Sequence, residues 1–502
     1  MNPAANIIPL FVIIPLAGAF LTSFIAKRFR CVSDVIGNIT TLALVIISLW
    51  AIKIFNTHGI LVYSVGAWKP PIGIALVLDG LAVFMVVTVN VVAFLISLFA
   101  IDYMAKFTSK WKFYTLFLLM LAGMNGVVIT GDLFNLFVFL EIAFVASIAL
   151  VAFGTGKHEL EAAFKYAVMG TLGSLFILLG IVFLYSFTST LNMADMAVIL
   201  ATKGAGKNII AMTTVLFLMG FGLKAALVPF HAWLPDAHPS APAPISAMLS
   251  GIIIKSLGIY ALCRVLINVI GLTAEVQHIL LILGTLSMVV GVFLAIGQWD
   301  LKRLLAYHSI SQIGYVVLGI ALGTPLGILG GLFHLFNHSI FKSLLFLNSG
   351  ALEYATGTRD LKHMGGLMKK MPVTGSTNLI ASMSIAGIPP FNGFWSKLII
   401  IIAAVQAGQL WYAFWAVVAS VLTLASFTKV MKYAYFGKMG KDLGDIKEVP
   451  LTMRISMSIF ALLCLCGGIL LIPGVLDSFL IPAVMVIKSG ITQALIVMGS
   501  IG

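Results

Sequence analysis

The sequence predicts an all-α, polytopic membrane protein with about fourteen transmembrane helices. Of its 502 residues, 61% are hydrophobic and 9% are charged, and the mean hydropathy is +1.12. Apolar runs long enough to cross a hydrocarbon core of roughly 30 Å recur along the whole chain. Lipid offers no partner to backbone amides, so only helices or closed barrels span it, and these runs lack the alternation of barrel strands. A soluble protein is therefore excluded.

The apolar runs define the expected spans. They cover residues 5–26, 33–54, 75–101, 112–130, 133–153, 161–187, 208–230, 241–268, 278–298, 303–323, 326–354, 374–405, 409–436 and 453–473. The first run is too long for the core of a signal peptide and has no positive residue before it, so we expect it to stay in the mature protein. The segment 475–500 is also apolar, and we expect it at the membrane interface or in a groove of a neighbouring protein.

The distribution of basic residues decides how the net charge of +13 is interpreted. Loops after odd-numbered spans, the seventh excepted, hold Lys27, Arg28, Arg30, Lys106, Lys110, Lys112, Lys157, Lys302, Arg303, Arg359, Lys362, Lys369, Lys370, Lys438, Lys441 and Lys447. Loops after even-numbered spans hold little beyond Lys53, Lys69, Lys203 and Lys207. The positive-inside rule then places the N-terminus outside and the odd loops in the cytoplasm. We expect a multi-pass protein of the cell membrane and no nucleic-acid partner.

The cysteines give no sign of a redox centre. Cys31, Cys263, Cys464 and Cys466 form no Cys-x-x-Cys pair and lie mostly in apolar helix, where cysteine usually acts as a small hydrophobic residue. We expect no cofactor in this chain, and no electron transfer through it.

Two strings that contain proline interrupt the predicted helices at membrane depth. Pro229 lies in the seventh span, and Gly387-Ile388-Pro389-Pro390 lies in the twelfth. The carbonyls that proline leaves without a donor need water or a polar partner, so such breaks usually line a hydrated cavity. The breaks occupy matching positions if spans four to eight and nine to thirteen are two copies of a five-helix unit. Because five is odd, the copies would insert in opposite orientations, as an inverted repeat.

Two unrelated proline kinks are the alternative explanation of these strings. The repeat interpretation divides the chain into residues 1–110 with spans one to three, 111–270 as the first repeat, 271–437 as the second repeat, and 438–502 with span fourteen and the C-terminal segment.

Five ionisable residues lie deep in apolar runs: Glu141, Lys224, Lys255, Lys342 and Lys397. Each charge at the bilayer centre costs about 3 kcal/mol on insertion scales. We predict that Glu141 pairs with Lys224, because an opposite charge lowers the cost of burial. A proton or cation arriving near this pair would weaken it and let Lys224 turn toward Lys255, so that the lysines carry protons. The alternative is a set of ion pairs that only fix helix packing.

Histidines extend this pattern into the second half. His334, His338 and Lys342 are spaced by four residues and share one stripe of a helix. Histidine titrates near neutral pH and can pass protons. A metal bound by the two histidines would need a third ligand, and no acid lies on the stripe, so we expect no metal. His308 in the tenth span could link the lysines of the first half to this stripe, or it could simply be hydrogen-bonded to a nearby carbonyl.

Several polar residues lie near the ends of spans. We expect Asp79, Asp132, His231, Asp236 and His238 to act mostly as helix caps, turn residues and packing partners. His231 and Asp236 are weaker candidates for a site where ions are taken up.

Three long strings resemble a known family. They are GDLFNLFVFLE at 131–141, KAALVPFHAWLPDAH at 224–238 and DLKRLLAYHS at 300–309, supported by the spacing of His334, His338 and Lys342 and by GIPPF at 387–391. Together they resemble the antiporter-like subunits shared by respiratory complex I (M and N types), the Mrp cation/proton antiporters (the D-type subunit) and energy-converting membrane-bound hydrogenases. The likeness covers nearly the entire chain.

The resemblance implies a subunit of fourteen helices with two inverted repeats and an axial hydrophilic path for protons. Glu141 resembles the essential acid of the family, Lys224 its paired lysine and Lys255 the central relay lysine. His308, His334 and His338 resemble the connecting groups. Lys397 resembles the residue on the exit side of the second half; some M-type subunits carry glutamate there, so the lysine favours the D type of the Mrp antiporters or the hydrogenase type.

The expected function is proton translocation by a subunit of a larger membrane complex, with no covalent chemistry in this chain. A redox module or sodium/proton exchange would drive or use the relay. The expected partners are other membrane subunits, among them homologous antiporter-like ones, together with a peripheral redox arm, the lipid bilayer and protons; sodium stays open. The alternatives are a stand-alone secondary transporter for a small solute and a scaffold that only holds quinone-reducing partners.

Overall fold

The structure is a computed structural model that describes residues 3–26, 32–107, 109–204, 206–438 and 446–501. Five residues used above, Lys27, Arg28, Arg30, Cys31 and Lys441, lie outside the described residues. Within the described ranges, twelve helices are long and apolar enough to cross a membrane, judged by length and composition. The two further predicted spans are also helical: one is a long helix that carries many polar residues, and the other is broken into two pieces. The predicted polytopic α-helical fold with broken helices is confirmed.

The first half of the chain contains ten helices and one hairpin among the residues described. They are α1 Leu10–Ile25, α2 Val32–His58, β1 Leu61–Ser64, β2 Ala75–Leu78, α3 Gly80–Tyr103, α4 Lys110–Ile129, α5 Leu133–Val151, α6 Lys157–Thr188, α7 Met193–Ile199, α8 Lys207–Ala225, α9 Leu234–Ser240 and α10 Ala243–Met248. Helix α10 continues through wider π-helical turns at Leu249–Tyr260 and Cys263–Val269, so that one span covers Ala243–Val269.

The second half and the C-terminal segment contain ten more described helices. They are α11 Ala274–Ile296, α12 Leu301–Ala321, α13 Pro325–Thr356, α14 Pro372–Ala386, α15 Asn392–Gln406, α16 Leu410–Val430, α17 Leu451–Cys466, α18 Pro473–Val475, α19 Ile481–Lys488 and α20 Gly490–Ile501. Helix α16 continues through a π-helical turn at Met431–Tyr435.

One expectation about a span boundary was wrong. The third span does not begin at residue 75, because 75–78 pair with β1 in an antiparallel hairpin. Helix α3 begins at Gly80 instead, where the Asp79 carboxylate accepts a hydrogen bond of 2.9 Å from the Ala82 N–H and so caps the helix. The C-terminal segment also packs on its own chain, and its expected place at the membrane interface or against a neighbouring protein stays a prediction. Its two parts meet at an angle of 100°; α19 lies against α3 and α13, and α20 against α7 and β1.

The two predicted breaks have the same local geometry. Helix α8 ends at Ala225, so Pro229 follows the helix instead of kinking it. Ala226 takes a φ of 54°, and the next N–H bonds back to the Gly222 carbonyl at 2.9 Å. At the second break Gly387 takes a φ of 82°, and the next N–H bonds back to the carbonyl five positions earlier at 3.1 Å. Both breaks therefore begin with the same closure of a helix C-terminus.

A second pair of matching turns follows the two longest helices, α6 and α13, which have 32 residues each. After α6, the Thr188 hydroxyl donates to the Thr190 carbonyl at 3.2 Å, and the Asn192 N–H donates to the Thr190 hydroxyl at 3.3 Å. The same contacts recur after α13, at 3.2 Å each, among Thr356, Thr358 and Asp360. Each turn then pairs with the residue that caps the helix two spans earlier, Asn192 with Asp132 and Asp360 with Asp300.

The helices that carry most of the predicted relay lie at the centre of the protein. The spans of α3, α10 and α12 are largely enclosed by other helices, whereas α2 and α16 expose most of their surface. Helices α12 and α13 approach closely, because Gly319 faces Gly331: a Cβ added at Gly319 would lie 2.9 Å from the Gly331 Cα. Small residues permit such contacts between membrane helices.

We expect Gly331→Ala to destabilise the fold. Its Cβ would lie 2.9 Å from the Val316 carbonyl oxygen and the Ile320 nitrogen, so α12 and α13 must separate. Overpacking of this kind costs about 1–3 kcal/mol. The measurement is the unfolding temperature of the purified protein in detergent or lipid. Gly499→Ala is the matched control, because an added Cβ meets nothing within 4 Å there; equal unfolding temperatures for the two variants would contradict the close contact.

Candidate functional site

Glu141 of α5 and Lys224 of α8 form an ion pair, with 3.5 Å between Oε1 and Nζ. The same carboxylate oxygen accepts a hydrogen bond from the Ser174 hydroxyl of α6. The Lys224 Nζ also lies 3.5 Å from the centre of the Phe144 ring. The ion pair is longer than a charge-assisted hydrogen bond of about 2.7–2.9 Å. The pairing predicted from the sequence is present, as a loose contact.

The ends of two helices position this pair. Helix α5 begins where the Asp132 carboxylate accepts a hydrogen bond of 2.7 Å from the Asn135 N–H, so Asp132 is a cap, as predicted. Lys224 is the last residue but one of α8. The unpaired carbonyls at a helix C-terminus carry partial negative charge and favour a cation there. The Lys224 ammonium group itself contacts the Glu141 carboxylate and the Phe144 ring, and it makes no hydrogen bond to the backbone of the described residues.

The two partners differ in burial. The Lys224 side chain is 3% exposed, but the Glu141 side chain is 29% exposed. Glu141 is thus only partly covered by its own chain, although the sequence suggested deep burial for both. The lysine is enclosed in the protein, and the acid lies at its periphery.

Lys255 lies at the centre of the protein and is fully buried. Its Nζ donates to the carbonyls of Ser250 and Gly251 at 2.6 and 2.7 Å. These carbonyls belong to its own π-helical segment, in which the wider turns give a side chain access to the backbone. In the part of the chain that the structure describes, no carboxylate lies within ion-pair distance of Lys255. The expected turn of Lys224 toward Lys255 stays a prediction.

A serine pair joins the Lys255 helix to the second half. The hydroxyls of Ser250 and Ser309 are 2.6 Å apart. Next to Ser309 on α12, the His308 Nε2 lies 2.8 Å from the Ser426 hydroxyl of α16, and its ring packs on Phe427. His308 is fully buried. Its partner is a hydroxyl, not the carbonyl of the alternative interpretation.

The histidine stripe of α13 contacts α12 and α15. The His334 Nε2 lies 3.1 Å from the Gln312 Oε1, and its Nδ1 lies 2.9 Å from the Ser396 hydroxyl. Because an amide oxygen only accepts, Nε2 is the donor, and Nδ1 of a neutral ring accepts from the serine. The His338 ring is nearly parallel to that of His334, with 6.3 Å between centroids. The two histidines lie on one stripe, as predicted.

The next two groups on the stripe are less restrained. Both ring nitrogens of His338 and the Nζ of Lys342 are buried and find no hydrogen-bond partner among the described residues. Lys342 lies above the Phe346 ring, 5.6 Å from its centre. Most buried polar atoms in proteins are hydrogen-bonded, so free ones need an explanation.

Lys397 ends the series at the second break. It is 2% exposed. Its Nζ donates to the Ile385 carbonyl at 2.7 Å, in the last turn of α14, and lies 3.1 Å from the Ser420 hydroxyl. The Tyr315 ring lies between Lys397 and His334, at 4.8 and 5.5 Å. This lysine therefore binds the end of a helix at a break, whereas Lys224 only lies near one in sequence.

The two candidates for ion uptake lie outside this series. Asp236 of α9 pairs with Lys165 at 3.0 Å and with Arg303 at 3.5 Å, so it is the partner of bases from both halves. These residues line a cavity of about 320 Å³ that also contains Asp300 and Arg359. His231 is half-buried in the turn between α8 and α9.

His238 is a buried residue whose position the sequence did not reveal. It was expected near an interface as a cap or packing partner, but it is fully buried, and its ring stacks on Phe346 at 4.8 Å. The stack on Phe346 is a packing contact of the kind expected, and α9 turns inward after the break, which points His238 away from Asp236. One sequence feature could have indicated its burial: His238 follows Asp236 by two residues on a short helix, so the two side chains lie on opposite sides of that helix.

The assembled groups suit proton movement better than metal binding. The series consists of lysine and histidine nitrogens, serine hydroxyls and one carboxylate. Over the described ranges, no three His, Cys, Asp or Glu side chains cluster as metal ligands do. Hydroxyl and imidazole groups both donate and accept, so they can pass a proton along a chain of hydrogen bonds.

Known proteins match the chain over nearly its full length. The family model described as "NADH:quinone oxidoreductase/Mrp antiporter, TM" matches residues 130–423, and that described as "NADH-Ubiquinone oxidoreductase (complex I), chain 5 N-terminus" matches residues 68–114. The D-type subunit of the Na(+)/H(+) antiporter of Alkalihalophilus pseudofirmus is 37% identical over 435 residues, which are 86% of this chain and 87% of that relative.

Two solved structures share the fold. A chain of the Mrp complex from Dietzia sp. DQ12-45-1b superimposes with a TM-score of 0.90 and 28% identity, over 99% of this chain and 100% of that one. A chain of the membrane-bound sulfane sulfur reductase, an archaeal respiratory membrane complex, superimposes with a TM-score of 0.88 and 31% identity over the same shares. The resemblance inferred from the three motifs is confirmed: the protein belongs to the NADH:quinone oxidoreductase/Mrp antiporter transmembrane family.

Proposed function

We propose that the chain is the proton-translocating, antiporter-like subunit of a multisubunit membrane complex. The observation that carries this proposal is a series of titratable groups, mostly buried, that runs through both halves of the protein. The series consists of Glu141, Lys224, Lys255, His308, His334, His338, Lys342 and Lys397. The serine pair at 2.6 Å connects the two halves of the series.

Ion pairs that only fix helix packing do not account for these residues. Among the described parts of the chain, Lys224 is the one lysine of the series with a carboxylate partner. Lys255 and Lys397 are held by backbone carbonyls, and Lys342 has no hydrogen-bond partner within the same ranges. A buried charge without an opposite charge lowers stability. Retention of three such lysines favours a role in transport over a role in packing.

The loose ion pair offers a physical starting point for transport. A proton that binds the Glu141 carboxylate neutralises it and removes the attraction that holds the Lys224 ammonium group. Lys224 is then free to shift along the end of α8 toward the centre. Loss of a proton from Glu141 restores the pair. The 3.5 Å separation means that little hydrogen-bond energy opposes this change.

We also propose the division of the chain that the sequence suggested, with residues 111–270 and 271–437 as inverted repeats. The matching closures at Ala226 and Gly387 support it, as do the matching turns after α6 and α13. The proposed orientation has the N-terminus outside, and the proposed location is the cell membrane. Its support is the excess of basic residues in alternate loops.

The proposed partners are other membrane subunits, homologous antiporter-like ones among them. An ionised carboxylate that faces lipid is costly, and 29% of the Glu141 side chain is not covered by its own chain. A neighbouring membrane subunit at this position would remove that cost. The named relatives belong to a Na(+)/H(+) antiporter and to respiratory complexes, so either sodium/proton exchange or a peripheral redox arm is the proposed coupling partner.

We expect Glu141→Gln to lower proton transport at least about tenfold. Glutamine keeps the size of the side chain and can accept the Ser174 hydrogen bond, but it cannot bind a proton or attract Lys224. The assay uses the whole complex in proteoliposomes with an internal pH dye. Glu275→Gln, at an exposed acid in the first turn of α11, is the control. Normal transport in the Glu141 variant would refute the role of the acid.

We expect Lys255→Met to abolish transport without weakening the protein. Methionine replaces the buried ammonium group by an apolar chain of similar length, so the unfolding temperature stays the same or rises. Transport and thermal unfolding are measured on the same preparation. Lys203→Met at an exposed position is the control. Loss of assembly, or transport at the control level, would contradict a relay through Lys255.

We expect the isolated chain to move no ions. Coupling in the proposed function requires partner subunits, whereas a stand-alone secondary transporter would work alone. The test compares proton, sodium and small-solute flux in proteoliposomes that contain either this chain or the complete complex. Solute flux through the chain alone would favour the stand-alone transporter.

A further inference from the structure

Helix α9 separates two polar regions that the series above does not connect. Asp236 and His238 are two positions apart, which places them about 200° apart around a helix. The Asp236 side chain is 29% exposed and lines the cavity that contains Lys165, Arg303 and Arg359. His238 on the opposite side is fully buried. One short helix therefore has one face in a charged cavity and the other in the protein centre.

The His238 ring lies beside the lysines of the relay. It stacks on Phe346 with 4.8 Å between ring centres, and the Lys342 Nζ lies 5.6 Å from the same Phe346 ring. Two buried lysines therefore flank this part of α9: Lys342 of α13 contacts the same phenylalanine ring, and Lys302 of α12 binds the Ala241 carbonyl just after the helix.

Lys302 links the cavity side to this region. Its side chain is 2% exposed, and its Nζ lies 3.0 Å from Glu353 and donates to the Ala241 carbonyl at 3.1 Å. Ala241 directly follows α9. Arg359, which lines the cavity, lies 3.9 Å from the same glutamate. Charged groups thus continue from the cavity to the end of the helix that carries His238.

Both ring nitrogens of His238 are buried, and neither has a hydrogen-bond partner in the described parts of the chain. The backbone carbonyl of His238, in contrast, accepts from the Ser246 hydroxyl at 2.8 Å. A histidine retained only for structure normally uses at least one ring nitrogen in a hydrogen bond. The stacking contact alone could be made by phenylalanine. Packing alone therefore does not explain why this position has an imidazole.

We propose that His238 passes protons between the charged cavity beside α9 and the buried lysines. Protons would then reach the relay from one side of α9 to the other. This inference depends on the proposed function. One ring nitrogen of the neutral imidazole takes up a proton from the cavity side, which gives an imidazolium. The other ring nitrogen then releases its own proton, through water between the two groups, to the Lys342 amine in its neutral form, which becomes an ammonium. The ring is left neutral in its other tautomer, and rotation or the reverse transfers reset it.

The test replaces His238 by phenylalanine, which keeps the stack, and by glutamine, which keeps polarity but cannot be protonated at neutral pH. The complete complex is purified, its composition is checked, and proton transport is measured in proteoliposomes in H2O and D2O. Ser246→Ala is the matched control, because it removes the hydrogen bond to the His238 carbonyl and leaves the imidazole. Glu141→Gln and Lys255→Met are measured in parallel.

We expect both His238 variants to assemble and to transport at least about tenfold more slowly. We also expect a larger solvent isotope effect on the residual rate and near-normal transport in Ser246→Ala. Transport within about twofold of the unmodified complex in either assembled variant overturns the proposal. An equal loss in Ser246→Ala overturns it too, because local packing would then be the cause.

If the phenylalanine variant does not assemble, the glutamine variant decides, with His238→Met as the third substitution. The parallel variants separate this inference from the proposed function. Normal transport in Glu141→Gln and Lys255→Met refutes the function itself. Loss in those two variants with normal transport in the His238 variants refutes only the route through α9.

Discussion

The bilayer offers no hydrogen-bond partner to a charge or to a free backbone carbonyl, so each must find its partner inside the protein. This constraint determines how the centre of the protein is built. Buried lysines and free carbonyls satisfy each other. Lys397 donates to the last turn of α14, and Lys255 donates to carbonyls in its own widened turns. The break after α14 and the π-helical turns expose carbonyls, and Lys397 and Lys255 bind them. The cations are thus held mainly by dipoles, which do not fix the protonation state as a carboxylate partner would.

This arrangement distinguishes the two halves of the chain. In the first half Glu141 follows the Asp132 cap by nine positions, and in the second half Ser309 follows the Asp300 cap by the same nine. At this position the second half has a hydroxyl where the first half has the acid, and the hydroxyl contacts Ser250, five residues before Lys255. An acid and its lysine lie at one end of the series, and serine hydroxyls, histidines and further lysines continue it. Within the series, the one pair of opposite charges among the described residues lies in the first half, where the proposed function uses it as a switch.

Hydropathy and motif were sufficient to predict the spans, the caps and the Glu141–Lys224 pair. Each depends on chemistry that is local or very costly to violate: an apolar run must span, an aspartate before a helix caps it, and a buried acid needs a base. The hairpin at 61–78 and the burial of His238 were not predictable in this way. They depend on where the chain turns after a break, and this is set by packing between segments far apart in sequence. The π-helical turns around Lys255 likewise have no signature in hydropathy.

The spacing of the matching turns has a consequence for how the C-terminal helix is anchored. The caps and the turns that pair with them lie 168 positions apart in the two halves (132 to 300, and 192 to 360), whereas the two closures lie 161 apart (226 to 387). The first half is therefore seven residues longer between its turn and its closure, and this stretch contains α7. Helix α20 packs on α7. If residues 111–270 and 271–437 are two copies of one repeat, the extra residues give the first copy an α-helix at a place where the described residues of the second have none, and the C-terminal helix of the chain packs on that helix.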